Sequence, residues 1–452
     1  MDTDPLVTGL TAAVGDAHVL TDPQVTAAYT TDFTRRFSGP ARLVVRPADT
    51  AEVARVVGVC AEEGASIVPQ GGNTGLVGGG VPRGGEVVLS LRRLASVERI
   101  DATAMQVTAG AGVPLAELQR SVRAEGLDFG VDFAARDSAT IGGMIATNAG
   151  GERVLRYGTT RANVAGLEAV PADGGVLERL TGLPKDNTGY DLSGLLVGSE
   201  GTLAVITRAR LRLVPRPTGR ATALLALGSL DDAVSAVTEL RALDSLELAE
   251  FFLADGLELV CRTSGLPAPF PRPYPVYLLV ECAARHDPAD ELYAALDELA
   301  CVEDAVVAVD RADRHRLTAY RERHTEAINS VGVPLKLDVS VPLTALAGFV
   351  EDLGSLLDSV ATSYLFGHLA EGNLHVNLLG AGDRAEELTD AVLRQVAAVR
   401  GSISAEHGVG RAKARWLELS RSPTEIAAMR AVKQALDPRG LLNPGVLLPP
   451  GS

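Results

Sequence analysis

Gln70-Gly71-Gly72-Asn73-Thr74-Gly75-Leu76-Val77-Gly78-Gly79-Gly80 follows directly on a short β-type run, Ser66-Ile67-Val68-Pro69, and its reading decides the fold. Glycine admits positive φ and close backbone approach, so a loop of this kind can aim several N–H groups at a pyrophosphate. No G-K-[ST] follows, which excludes a Walker loop, and the spacing is not the G-x-G-x-x-G of a Rossmann unit. Alone, the loop would fit a glycine-rich hairpin equally well.

Three further glycine clusters follow: Ser138-Ala139-Thr140-Ile141-Gly142-Gly143, Ala146-Thr147-Asn148-Ala149-Gly150-Gly151 and Gly198-Ser199-Glu200-Gly201-Thr202-Leu203. A phosphate site needs one such loop. Four, with small hydroxyl and amide side chains between them, fit a dinucleotide lying in a crevice. Around them the chain alternates short strand-like runs (86–91, 105–109, 203–206) with helical stretches such as 51–64, an α+β pattern.

A chain of 452 residues is too long for one hydrophobic core. Leu213-Val214-Pro215-Arg216-Pro217-Thr218-Gly219 carries two prolines that resist helix and central strand, so the cofactor domain is expected to span 1–218. A second α+β domain, 219–420, is expected to hold strands at 221–227, 276–281 and 305–310 and helices at 229–243, 288–299 and 311–330. A C-terminal segment, 421–452, has a helix over 424–436 and an extended tail. The formal charge of -15 and aromatic content of 4% exclude a nucleic-acid partner, and any anion site must be built locally. Cys60, Cys261, Cys282 and Cys301 form no C-x-x-C pair, which suits a reducing compartment. With no secretory signal pattern and no apolar run of membrane-spanning length, a cytoplasmic protein is expected.

Chemistry concentrates in Phe366-Gly367-His368-Leu369-Ala370-Glu371-Gly372-Asn373-Leu374-His375-Val376-Asn377 and Ser404-Ala405-Glu406-His407-Gly408. A single histidine is usually a core or surface residue; the clustering is the signal. His368 and His375 are seven residues apart and would face opposite ways on one strand, but a turn at Glu371-Gly372-Asn373 can bring them together. With Glu406 they make a His₂Glu set, the ligand type of catalytic zinc sites, and no thiolate competes.

These motifs resemble the FAD-linked oxidases of the vanillyl-alcohol-oxidase type, whose FAD-binding domain is of the PCMH type, from about residue 40 to the C-terminus. The resemblance implies FAD contacts from Pro69, Gly71, Gly72, Asn73, Thr74, Gly75, Leu76, Ser138, Ile141, Gly142, Gly143, Thr147, Asn148, Gly151, Glu200, Gly201, Ile206 and Asn443. The C-terminal tail is then expected to return to the flavin. Gln70 stands where many members carry arginine. The only histidine before residue 286 is His18, outside every glycine motif, so the FAD is expected to be non-covalent. The second half resembles the branch containing D-2-hydroxyglutarate dehydrogenase and D-lactate dehydrogenase. That implies a divalent metal, zinc, on His368, His375 and Glu406, with His407 as base, although members commonly have Gly-Asp where this chain has Ala370-Glu371. A metal gripping hydroxyl and carboxylate eases loss of the hydroxyl proton while hydride leaves C2 for flavin N5.

Arg321 and Thr325, four apart on the expected helix, and Lys336, on an alternating run with Asp338 and Ser340, could converge on a carboxylate. Arg-x-x-x-Thr followed by that Lys also resembles the substrate site of D-2-hydroxyglutarate dehydrogenase, and Asn377, sharing a face with His375, joins the substrate set. D-Lactate would leave Lys336 or Arg321 unpaired, so a dicarboxylic D-2-hydroxy acid is preferred, D-2-hydroxyglutarate first and D-malate as a shorter form. Electron-transfer flavoprotein or a quinone is the expected electron acceptor, and a homodimer is compatible with the sequence. The rivals are a D-lactate or glycolate dehydrogenase, a non-redox transferase such as an ether-lipid synthase, and a metalloprotein without flavin.

Overall fold

The computed structural model describes residues 4–358 and 360–449. The chain forms two units. The first combines the chain up to Gly151, Tyr157–Pro215 and the chain from Glu406 onward; the second is Glu152–Arg156 with Arg216–Ala405. The expected breaks at 218 and 420 therefore fall at 215 and 405, and 406–452 is continuous with the cofactor unit. Two contacts mark the second break. Ser340 and Ser402 exchange backbone hydrogen bonds inside the second unit, whereas the N–H of Arg411 donates to Val77 O inside the first.

In the first unit, β1 (Val19–Leu20), β2 (Ala41–Val45), β3 (Ile67–Gln70) and β4 (Glu86–Ser90) make a sheet of order β1-β2-β4-β3. β2 and β3 both run parallel to β4. A second, antiparallel sheet has order β5-β9-β7-β8, built from β5 (Gln106–Gly110), β7 (Val164–Pro171), β8 (Leu177–Arg179) and β9 (Ala204–Arg212). The short ribbon β6 (Leu127–Asp128) pairs with β10 (Val214–Pro215). The helix Thr50–Glu62, capped by the Asp49 carboxylate, turns Val53, Val56, Val57 and Cys60 inward at helical spacing onto the first sheet's core.

The second unit is built on a seven-stranded antiparallel sheet, order β14-β11-β13-β12-β16-β17-β15. Its strands are β11 (Gly219–Leu227), β12 (Leu246–Leu253), β13 (Val276–Ala284), β14 (Val302–Ala308), β15 (Leu335–Ser340), β16 (Thr362–His368) and β17 (Asn373–Leu379). All nine residues of β13 are buried, as a central strand covered on both faces requires. Phe251 and Phe252, neighbours on β12, point to opposite faces of this sheet and are both fully buried. Truncating either to Ala would cost about 3–5 kcal/mol.

One expected element is corrected. The helix over 311–330 is two helices, Arg311–Glu322 and His324–Val331, meeting at Arg323. His324 turns inward against the rings of Phe252 and Phe366, with Nδ1 3.2 Å from the Arg321 carbonyl, which ends the first helix. Arg321 and Thr325 therefore lie on different helices, and Thr325 is exposed.

Candidate functional site

The glycine clusters assemble inside the first unit. β3 delivers the chain to the loop at Gly71, and the buried Gln70 amide closes that loop by donating to the carbonyls of Tyr29 (2.9 Å) and Gly80 (2.7 Å). At Gly72 a Cβ would lie 1.9 Å from Ser138 O, so the first two clusters pack at a distance only glycine allows. The helix Ile141–Thr147 starts with N–H donation from Ile141 and Gly142 to Val113 and Ala111. At its other end, Gly198 and Glu200 donate to the carbonyls of Ile145 and Ala146 (3.0 and 2.8 Å), fixing the fourth cluster on the third.

Together they line one cavity: Pro69, Gly71–Leu76, Gly142, Gly143, Thr147, Glu200, Gly201 and Ile206 face it, with Phe133, Thr140 and His407. Five residues expected at the cofactor do not line it. Ile141 is fully buried in the core, because the first turn of its helix packs on the second sheet. Asn148 adopts a left-handed cap, and its Oδ1 accepts the Arg161 N–H. Ser138 supplies the carbonyl against Gly72, while Gly151 donates to the Glu406 carboxylate. Asn443 donates to the carbonyls of Gly79 (2.9 Å) and Glu200 (2.7 Å), so the C-terminal tail braces the cavity wall from behind.

The cavity fits a flavin nucleotide on its own chemistry. Gly75 faces open space, and Thr140 Oγ1 is buried with no partner among the described residues. A buried hydroxyl in that condition is costly unless a ligand supplies the bond. Glu200 is a buried carboxylate at the cavity: burial pushes it up to about 7, against the Val409 and Gly410 N–H groups that donate to it at 2.8 Å each. That clamp holds the chain just after Glu406 and His407.

The histidine hairpin lies in the second unit. β16 and β17 are joined by a tight turn over Leu369–Glu371 closed by Gly372, where φ is +66° and a Cβ would lie 2.1 Å from Val341 O. The turn sets the His368 and His375 rings edge to face, 5.3 Å apart, each offering a nitrogen within 4.8 Å of the other. A buried carboxylate stands behind each ring. His368 Nδ1 contacts Glu250, its register partner on β12, and His375 Nδ1 lies 3.4 Å from Asp338, its partner on β15. Carboxylates in this position fix which nitrogen carries the proton and leave Nε2 for a ligand role.

Glu250 also takes Arg321 Nη2 at 2.8 Å, while the guanidinium lies 4.4 Å over the Phe366 ring. Burial works to raise the Glu250 carboxyl, but the His368 and Arg321 charges outweigh it and hold it below the usual carboxylate range. Lys336 lies in register with Asn377, next to the Asp338–His375 pair. Burial draws its ammonium below the usual value, and no carboxylate pairs with it among the described residues. Neither Glu250 nor Thr140 was singled out from the sequence. An acid in the otherwise apolar run Leu248-Ala249-Glu250-Phe251-Phe252 was the available signal for the first.

A glycine-lined dinucleotide cavity and a carboxylate-backed histidine pair define a flavin-dependent oxidoreductase class. Residues 41–179 match the FAD binding domain model, and 216–447 match the model of FAD linked oxidases, C-terminal domain. A D-2-hydroxyglutarate dehydrogenase of Xanthomonas citri pv. viticola is 40% identical, over 98% of this chain and 97% of its own. The mitochondrial D-2-hydroxyglutarate dehydrogenase of Bos taurus is 39% identical, over 95% and 81%. Among solved structures, 4-ethylphenol oxidase from Gulosibacter chungangensis superposes with a TM-score of 0.77 at 19% identity, covering 98% of this chain and 97% of that one. An alkyldihydroxyacetonephosphate synthase gives 0.75 at 17%, over 98% and 86%. The chain belongs to the FAD-linked oxidase family, with the α+β fold of that family. No helix among the described residues is long and apolar enough to cross a membrane.

Proposed function

We propose that this protein is an FAD-dependent dehydrogenase that oxidises D-2-hydroxyglutarate to 2-oxoglutarate. The observation that carries the reading is the pair His368 and His375, each with Nδ1 turned to a buried carboxylate. Such a pair is prepared to hold a divalent metal through Nε2. Identity of 40% along nearly the whole chain with a dehydrogenase of that name supports the substrate. The 17% likeness to a synthase is one of fold alone and gives the transferase reading no comparable support.

In this reading His368, His375 and Glu406 hold the metal, zinc by their nitrogen and oxygen donors without thiolate. Bound non-covalently, FAD supplies the two-electron acceptor, and the metal supplies the Lewis acidity that eases loss of the hydroxyl proton. His407 accepts that proton, a task suited to imidazole near neutral pH. Lys336 pairs with the distal carboxylate, and Arg321, Thr325 and Asn377 complete the substrate contacts. D-Lactate would leave the half-buried Lys336 ammonium without a counter-charge, and D-malate would reach it less well. Electrons then pass to an acceptor such as electron-transfer flavoprotein or a quinone. The four free cysteines support a reducing, cytoplasmic setting, and a homodimer is the assembly proposed.

Anaerobic mixing with a panel of D- and L-2-hydroxy acids tests the reading. Bleaching of the flavin band should be fastest with D-2-hydroxyglutarate and absent with its L-enantiomer. A flavin that no 2-hydroxy acid reduces would reject it.

A further inference from the structure

Glu250, an acid in the core of β12, faces two cations, a histidine and an arginine. It is 3% exposed, and its two oxygens are divided: Oε1 meets His368 Nδ1, and Oε2 lies 2.8 Å from Arg321 Nη2. Register explains the first contact, since Glu250 and His368 are paired residues of neighbouring strands. The second depends on the end of the helix Arg311–Glu322, where Arg321 is pinned from its other face by the Phe366 ring. Arg321 Nε is buried with no partner, and Glu250 is the one anion paired with this guanidinium, among the described residues.

We propose that Glu250 is a positioning residue: its single carboxylate keeps the His368 proton on Nδ1 and fixes the Arg321 guanidinium, so a metal ligand and a substrate-binding charge are set by one group. The inference rests on the metal role given to His368 above. Its chemistry follows from the contact. A carboxylate has no proton to give, so Nδ1 must be the donor, and Nε2 is left with its lone pair for a cation. Arg321 cannot leave without stranding a buried negative charge beside His368, which ties the two residues energetically.

Glu250→Gln keeps the size of the side chain and an acceptor oxygen but removes the charge. Zinc affinity of the FAD-loaded, substrate-free protein, read by competition with a chromogenic chelator, should fall ten- to a hundred-fold. Arg321→Met should change zinc affinity at least threefold when Glu250 is present and not at all in the Glu250→Gln background. Wild-type zinc affinity in Glu250→Gln, or an Arg321→Met effect of equal size in both backgrounds, overturns the proposal. A second measurement needs no variant of Glu250. In the metal-free wild type, ¹⁵N shifts of the His368 ring, assigned by its loss in His368→Asn, should report the Nδ1–H tautomer; an Nε2–H tautomer overturns the proposal even if Glu250→Gln fails to fold. None of these readouts uses substrate, so failure of the D-2-hydroxyglutarate reading would show separately, as a flavin that stays oxidised.

Discussion

Glu200→Gln isolates the cost of burying a charge at the cofactor cavity. The Glu200 side chain is 7% exposed, accepts the Val409 and Gly410 N–H groups at 2.8 Å each, and has its carboxyl pushed up to about 7. A raised carboxyl means that between the ordinary glutamate value of 4.5 and about 7 the folded protein keeps a proton the unfolded chain has released. Stability from this group is therefore full at low pH and is lost as pH rises through that window. Integrated from pH 5 to pH 8, the linkage amounts to about 2–3 kcal/mol. Glutamine does not titrate, so the variant lacks this slope. Its amide NH₂ would meet one of the two backbone donors, a pH-independent penalty of about 1–3 kcal/mol. The two effects have the same size and opposite sign at high pH. Urea denaturation of both proteins at pH 5, 6, 7 and 8, followed by circular dichroism, should find the variant clearly weaker at pH 5 and close to wild type at pH 8. Parallel stability profiles for the two proteins would refute the reasoning, because they would mean Glu200 binds the same number of protons folded and unfolded.

Thr140→Val should leave the fold intact and weaken FAD about five- to tenfold, near the 1 kcal/mol of one hydrogen bond, as read from flavin fluorescence released on dilution. Lys336→Met should raise KM for D-2-hydroxyglutarate about ten- to a hundredfold, the value of a charge-assisted bond, with little change for D-lactate. His375→Ala should lose bound metal by elemental analysis and lose turnover while keeping its FAD. His407→Ala should slow anaerobic flavin reduction about 10²–10⁴-fold, with a smaller effect on substrate affinity.

What the sequence revealed of these sites follows the range of the forces involved. Gly72 was legible because backbone set against Ser138 O leaves room for no other residue, a constraint written into one position. His368 and His375 were legible because a seven-residue hairpin with a glycine turn is a local device. The motif alone left the placing of Ile141 and Asn148 open, since a glycine cluster does not say which of its neighbours face the cavity. Ile141 faces the core, and Asn148 caps a helix. The break at Arg323 was hidden because it depends on where His324 finds rings, and Phe252 and Phe366 lie far away in sequence.

Glu250 marks the boundary between the two kinds of knowledge. β12 is a buried strand in the structure, and a buried acid on it needs a compensating charge. Which charge answers it is decided by strand order: β12 lies next to β16, which comes more than a hundred residues later, and the β16 end brings His368 alongside. No local pattern carries that adjacency. It follows that the features most easily read from sequence are those that touch ligands through backbone and turns, while the groups that set the protonation and orientation of the ligand-binding side chains are read only from the sheet. The order β13-β12-β16-β17-β15 aligns both carboxylates, Glu250 and Asp338, behind the two histidines, so the sheet's topology, more than the histidine motif, is what would fit the pair to the metal role proposed for it.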